Sequence, residues 1–174
     1  FLTRMPSPKI ILQAFADVKP SLVIAVPLII EKIIKKNVLP KLETPTMKFL
    51  MHVPLVSDKI REKVREQLMN AFGGEFYEIV VGGAAFNQEI EPFMRSIEFP
   101  YTVGYGMTEC APLICYEDWK KFKAGSCGKA VANMEVKVLS ADPANIPGEI
   151  ICRGDNVMLG YYKNEEATRE VIDE

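Results

Sequence analysis

The chain has 174 residues, a formal net charge of −2, 48% hydrophobic and 25% charged residues. This is the make-up of a globular protein of about one domain, and it excludes a disordered, collagen-like or disulfide-scaffold chain. No excess of positive charge is present to neutralise phosphates, so a strongly basic nucleic-acid binder is excluded. The longest nearly apolar run, Leu22 to Ile30, is broken by Pro27 and falls well short of the roughly 20 apolar residues of a spanning helix.

In chain order, Ser7-Pro8 predicts a helix start, with Ser as cap and Pro in the first turn. Ile10, Ile11, Ala14, Phe15 and Val18 follow at helical spacing, and Pro20 ends the run. Leu22 to Val26 is short, apolar and β-branched, as in a strand buried on both faces of a parallel sheet. A helix is predicted from about Pro27 to Lys36. Pro40, Pro45 and Pro54 interrupt the next stretch, in which Met47 to Val53 reads as a strand. Ile60, Val64, Leu68, Ala71 and Phe72 then mark a helix capped by Ser57 or Asp58 and ended by Gly73-Gly74.

Glu78 to Val81 is the next predicted strand and runs into Gly82-Gly83-Ala84-Ala85. Asn87 caps a predicted helix carrying Ile90, Phe93, Met94 and Ile97, in which Pro92 is expected to remove a hydrogen bond. Tyr101-Thr102-Val103 is again a strand that runs into glycine, here Gly104-Tyr105-Gly106-Met107-Thr108-Glu109. Beyond about residue 125 the texture turns antiparallel: Met134 to Leu139 and Gly148 to Arg153 read as strands joined through Asn145-Ile146-Pro147-Gly148. Asn164 then caps a last helix. The fold class expected is therefore α/β, a parallel sheet with flanking helices over residues 1–124, followed by the start of a smaller antiparallel β subdomain over 125–174.

The scarce residues narrow the chemistry. Cys110, Cys115, Cys127 and Cys152 form no C-x-x-C pair, and they read as reduced thiols in the cytoplasm. His52 is the single histidine and stands far from every glycine-rich segment, so a histidine-based nucleophilic mechanism is not expected. Carboxylates, hydroxyls, backbone amides and a borrowed cation remain.

Ligands of parallel α/β sheets bind outside the carboxyl ends of the strands, where both glycine-rich segments lie. Gly82, Gly83 and Gly104 let the backbone approach a flat ligand, and Tyr105 offers a face on which a base stacks. Thr108 offers a hydroxyl to an anionic oxygen, and Glu109 an oxygen to a hard cation such as Mg²⁺. Taken singly, the same residues also serve as a tight turn, a core aromatic and a helix cap. The dinucleotide fingerprint fails at Glu109, and Gly125-Ser126-Cys127-Gly128-Lys129 lacks the glycine spacing and hydroxyl of a P-loop.

Tyr105-Gly106-Met107-Thr108-Glu109 resembles the central signature of the adenylate-forming superfamily, the acyl-CoA synthetases, adenylation domains and beetle luciferases. Three further stretches resemble it in order: Gly82-Gly83-Ala84-Ala85, Gly125-Ser126-Cys127-Gly128-Lys129, and Gly148 to Gly154 with Val157-Met158-Leu159-Gly160-Tyr161-Tyr162. Among its members the chain looks most like long-chain fatty acyl-CoA synthetases, although those often carry Gln where Val103 stands.

The resemblance implies a two-step ligase using a fatty acid, ATP, Mg²⁺ and CoA, passing through acyl-AMP. It implies that Tyr105 stacks on adenine, that Gly82, Gly83 and Ala84 line it, and that Val103 and Gly104 lie where nucleotide and acyl pocket meet. Gly106 and Met107 belong to the same AMP-binding segment, Thr108 bonds the α-phosphate and Glu109 holds Mg²⁺. It also implies that this is an internal piece, running from Phe1 to Glu174, with the phosphate loop before it and the ribose-binding Asp and catalytic Lys after it; the piece alone is expected to be inactive. Two other readings stay open: an amino-acid adenylation domain, and a non-catalytic module of the same fold. The resemblance does not fix the oligomeric state, and a peripheral membrane contact stays open.

Overall fold

Helix α1, Pro8–Val18, starts as its cap signal requires: the Ser7 hydroxyl accepts from the Ile10 N–H at 3.4 Å, and Lys19 closes the helix in the left-handed region at φ 48°. The structure, a computed structural model, describes residues 7–173. The expectations placed on Phe1 to Arg4 and on Glu174 lie outside the described residues.

Three strands form the predicted parallel sheet: β1 Leu22–Ala25, β2 Glu78–Val81 and β3 Tyr101–Val103, in the order β1-β2-β3. Val23 pairs with Ile79, and Ile79 in turn with Tyr101. The crossovers are helical: α2 Pro27–Asn37, α3 Leu39–Leu42, α4 Pro45–Leu50 and α5 Val56–Ala71 join β1 to β2, and α6 Ile90–Ser96 joins β2 to β3. The expected α/β class, a parallel sheet with flanking helices, is what the chain adopts.

The core lies between this sheet and its helices. Ile30, Ile33 and Ile34 of α2, Ile79 and Val81 of β2, and Ile90 and Met94 of α6 are buried in one cluster. Phe72, Phe76 and Phe99 meet in it, with centroids 5.8–6.1 Å apart. Each such side chain stabilises the fold by roughly 1.5–3 kcal/mol through its burial.

Four sequence expectations are corrected. β1 is not buried on both faces: Val23 is buried, but Leu22 and Ile24, on the opposite face, are 50% and 77% exposed. Met47 to Val53 is not a strand, because Thr44-Pro45 repeats the start signal of α1: the Thr44 hydroxyl accepts from the Met47 N–H at 3.4 Å and α4 runs to Leu50. Neither Ser57 nor Asp58 caps α5; the helix starts at Val56 after Leu55 at φ 66°, Ser57 is buried in the first turn, and Asp58 pairs with Arg61 at 3.4 Å. Pro92 removes no hydrogen bond, because it is the third residue of α6, where the N–H has no helical partner anyway. Asn87 does serve that helix, accepting from the N–H groups of Glu89 and Ile90 at 2.8 and 3.2 Å.

After β3 the chain passes into antiparallel structure. The short strands β4 Tyr105–Gly106, β5 Leu113–Tyr116 and β6 Lys129–Ala130 form one small sheet, which the sequence reading missed. β7 Met134–Leu139 and β8 Glu149–Gly154 form another, as expected, in register from Met134↔Gly154 to Leu139↔Glu149. Helix α7, Glu165–Val171, is capped by Asn164, whose side chain accepts from the Ala167 N–H at 3.2 Å. Among the described residues no helix is long and apolar enough to cross a membrane.

Candidate functional site at the ends of two parallel strands

Gly82 and Gly104 each follow a strand of the parallel pair β2–β3 and stay tied to the sheet. The Gly82 N–H donates to Ala25 O at 3.1 Å and the Gly104 N–H to Val81 O at 2.9 Å. A methyl group on Gly82 would lie 3.5 Å from Gly104 O, so the two strand ends stand side by side at one edge. Val103, the last residue of β3, is buried. Gly83 and Ala84 are exposed, and Gly83 sits at φ +81°, a backbone region that L side chains rarely adopt.

From Gly104 the chain leaves the parallel sheet. Tyr105 pairs with Cys115 and Gly106 with Leu113, with a register shift between them. Gly106 tolerates no side chain: a Cβ there would lie 1.8 Å from Pro112 O. The Met107 N–H donates to that same carbonyl at 2.9 Å, which aims the following residues. Thr108–Cys110 is a single 3-10 turn; Met107 precedes it in extended conformation, and no side chain caps it. Thr108 is therefore not a cap. It is exposed, while Tyr105 is half-buried against a small cluster of Cys110, Ile114 and Met134.

Glu109 is half-buried and anchored twice. Its backbone carbonyl accepts from the Met158 N–H at 2.7 Å, and its carboxylate Oε1 accepts from the Tyr161 hydroxyl at 2.6 Å. That hydrogen bond holds the Glu109 carboxyl below the usual carboxylate range and pushes the Tyr161 phenol up. Glu109 is thus an anion at neutral pH. Among the described residues no group of three or more His, Cys, Asp or Glu forms a metal cage. A lone carboxylate suits a cation that keeps most of its waters and takes its other ligands from phosphates, as Mg²⁺ does.

Two residues of this neighbourhood carried no role in the sequence reading. Tyr161 is one. Asn156 is the other: its side-chain N–H donates to Cys110 O at 2.7 Å and Leu113 O at 3.0 Å, clamping the turn from behind. The Val157 to Tyr162 motif marks the stretch that holds Tyr161 without naming its partner, and Asn156 lies outside it. The Gly125 to Lys129 stretch forms a turn bound to its surroundings, with the Gly125 N–H on Glu91 at 3.1 Å and Lys129 paired with Glu117 at 2.9 Å. All four cysteines are free; Cys110 and Cys152 bring their sulfurs to 3.6 Å, and burial pushes the Cys110 thiol up to about 11.

The sequence matches the family described as AMP-binding enzyme over residues 1–162. Among curated proteins it is 35% identical to 4-coumarate-CoA ligase 1 of Narcissus pseudonarcissus, over 70% of this chain and 24% of that protein. To 4-coumarate--CoA ligase 5 of Oryza sativa subsp. japonica it is 34% identical, over 69% of this chain and 25% of that protein. The chain thus spans about a quarter of the length of these relatives. Its fold is similar to that of o-succinylbenzoate CoA synthetase (MenE) from Bacillus subtilis. With the acyl-adenylate intermediate OSB-AMP the TM-score is 0.67 at 21% identity, covering 98% of this chain and 30% of that one. With ATP and magnesium ion it is 0.62 at 22% identity, covering 96% and 30%.

Proposed function

The chain belongs to the AMP-binding enzyme family, and from that premise we propose that the full-length protein is an acid–CoA ligase. A substrate carboxylate attacks the α-phosphorus of ATP, the bond to pyrophosphate breaks, and acyl-AMP forms. The CoA thiol then attacks the acyl carbon and AMP leaves. The observation that carries this reading is the run from Tyr105 to Glu109 leaving β3 beside Gly82, with an anionic carboxylate at its end.

The roles follow from placement. Gly82, Gly83 and Ala84 offer bare backbone along one side of an adenine ring, and half-buried Tyr105 stacks on the other. Val103 and Gly104 lie where nucleotide and acyl group meet. Gly106 and Met107 aim the turn through their contacts with Pro112. Exposed Thr108 donates its hydroxyl to an α-phosphate oxygen, and Glu109 holds Mg²⁺. When bound, the cation neutralises charge developing on the phosphates. The proposal keeps a nucleotide-binding part over residues 1–124 and the start of a β-rich part over 125–174, which is supported by β7 and β8 pairing only with each other among the described residues. It also keeps the cytoplasm as the compartment, in line with four free thiols.

For the acid, the resemblance carried by the motifs favours a long-chain fatty acid. A second reading, a hydroxycinnamate, is favoured by the 35% identity to 4-coumarate-CoA ligase 1. The test is pyrophosphate release by the full-length protein with ATP, Mg²⁺ and CoA, given palmitate or 4-coumarate. Turnover with palmitate alone supports the first reading, turnover with 4-coumarate alone the second. Glu109→Ala is expected to lower acyl-AMP formation by about 100-fold or more. Undiminished turnover in that variant removes Glu109 from the site. A full-length protein that forms no adenylate with any carboxylate is a binding module instead.

A further inference from the structure

Glu109 stands on a single 3-10 turn of three residues, Thr108–Cys110. Its carboxylate is held from a distant part of the sequence. The Tyr161 hydroxyl donates to Glu109 Oε1 at 2.6 Å, across 52 residues of sequence. Tyr161 is itself held: its backbone N–H donates to the Thr168 hydroxyl oxygen at 2.9 Å, and that hydroxyl donates to Asn164 O at 2.8 Å. Gly160, at φ +143°, makes room for this arrangement, since a Cβ there would lie 2.9 Å from Thr168 Cγ2. The Met158 N–H on Glu109 O fixes the backbone beneath the carboxylate. A chain of contacts thus runs from α7 through Thr168 and Tyr161 to Glu109.

Resting on the reading that Glu109 holds a cation, we propose that Tyr161 is a positioning residue that fixes the Glu109 carboxylate for that cation, with Thr168 as its brace. Carboxylates that bind metals are oriented by hydrogen bonds from behind, and losing the partner weakens the metal without removing the ligand. A phenol suits the task, because its ring has few torsions and its hydroxyl sits at a set reach. The bond is only partly shielded, Tyr161 being 37% exposed, so the effect is expected at the lower end of the range for orienting contacts.

The experiment uses the full-length protein and calorimetric titration with two probes, ATP in excess Mg²⁺ and AMP in metal-free buffer. Tyr161→Phe keeps the ring and removes the hydroxyl. It is expected to weaken MgATP binding by about three- to tenfold and to change AMP binding by less than about twofold. Thr168→Ala shifts MgATP in the same direction by less. In a Glu109→Gln background Tyr161→Phe has no further effect, because the group it orients is no longer a carboxylate. Unchanged or tighter MgATP binding in Tyr161→Phe overturns the proposal. So does an equal loss of MgATP and AMP, which marks a packing role. If the wild type binds ATP equally with and without Mg²⁺, the reading of Glu109 falls and the proposal with it. If the wild type requires Mg²⁺ and Tyr161→Phe matches it, the proposal alone falls.

Discussion

In β2 and β3 six of the seven residues are buried, whereas in β7 and β8 only Met134 of twelve is. The first pair sits in a core of large aliphatic and aromatic side chains; the second lies near a cluster whose buried members are Cys110, Ile114 and Met134. Yet both regions must hold backbone still for the candidate site. The parallel sheet does so by burial, which presents Gly82 and Gly104 as a fixed edge. The later region does so by individual hydrogen bonds, with Asn156, Met158 and Tyr161 reaching back to the turn around Glu109. A loss in the first region is therefore expected to show as stability, and a loss in the second as site geometry.

The largest effect expected under this contrast is Ile79→Ala. Ile79 is fully buried in β2, so the variant should lose about 2–5 kcal/mol through transfer and cavity terms. In the full-length protein this is read as a lower denaturant midpoint, while AMP affinity under folding conditions stays unchanged. A fall in AMP affinity with the midpoint intact would break the contrast. Next comes Asn156. Asn156→Asp replaces an amide donor by an acceptor against the carbonyls of Cys110 and Leu113, at a cost of about 1–3 kcal/mol. Asn156→Ala should be milder, because Asn156 Oδ1 is itself buried without a partner among the described residues. Both should weaken MgATP binding more than they lower the midpoint; the reverse pattern would make the two regions alike.

The same contrast decides what could be read in advance. β2 and β3 were legible because short apolar runs and glycine ends are local patterns, and Ser7-Pro8 is a local signal. β1 was found as a strand, but its open face, with Leu22 and Ile24 exposed, is set by tertiary packing that its composition does not encode. Thr44-Pro45 carries the same signal, but the apolar run after it matches a strand equally well over so few residues. β4 and β6 are two residues each, too short to have a period. Of the residues expected at the strand ends, Gly82 and Gly104 stand side by side there, and Tyr105 and Gly106 continue from that edge into pairing with β5. What holds Glu109 was not legible, since Tyr161 and Asn156 reach the turn over 52 and 46 residues and no local spacing encodes such a meeting.

The smallest expected effect lies at the seam between the two regions. Tyr77, just before β2, donates to Asp118, just after β5, at 2.5 Å, and buried Glu78 accepts from the Tyr116 hydroxyl and from the Trp119 N–H at 3.1 Å. The Tyr77 hydrogen bond holds the Asp118 carboxyl below its ordinary value of 3.8. An unfolded chain thus binds a proton at Asp118 before the folded one does. Stability from this contact is complete above pH 3.8 and drains away as pH falls through the lower folded value. Both groups are solvent-accessible, so the increment is small. Tyr77→Phe should therefore lower stability slightly at pH 6 and flatten its decline below pH 3.8, the curves of variant and wild type converging in acid. Urea unfolding of the full-length protein between pH 2.5 and 6 measures this. Curves that stay parallel would remove the Tyr77–Asp118 contact from the stabilising ties at the seam, leaving it to burial and to the hydrogen bonds of Glu78.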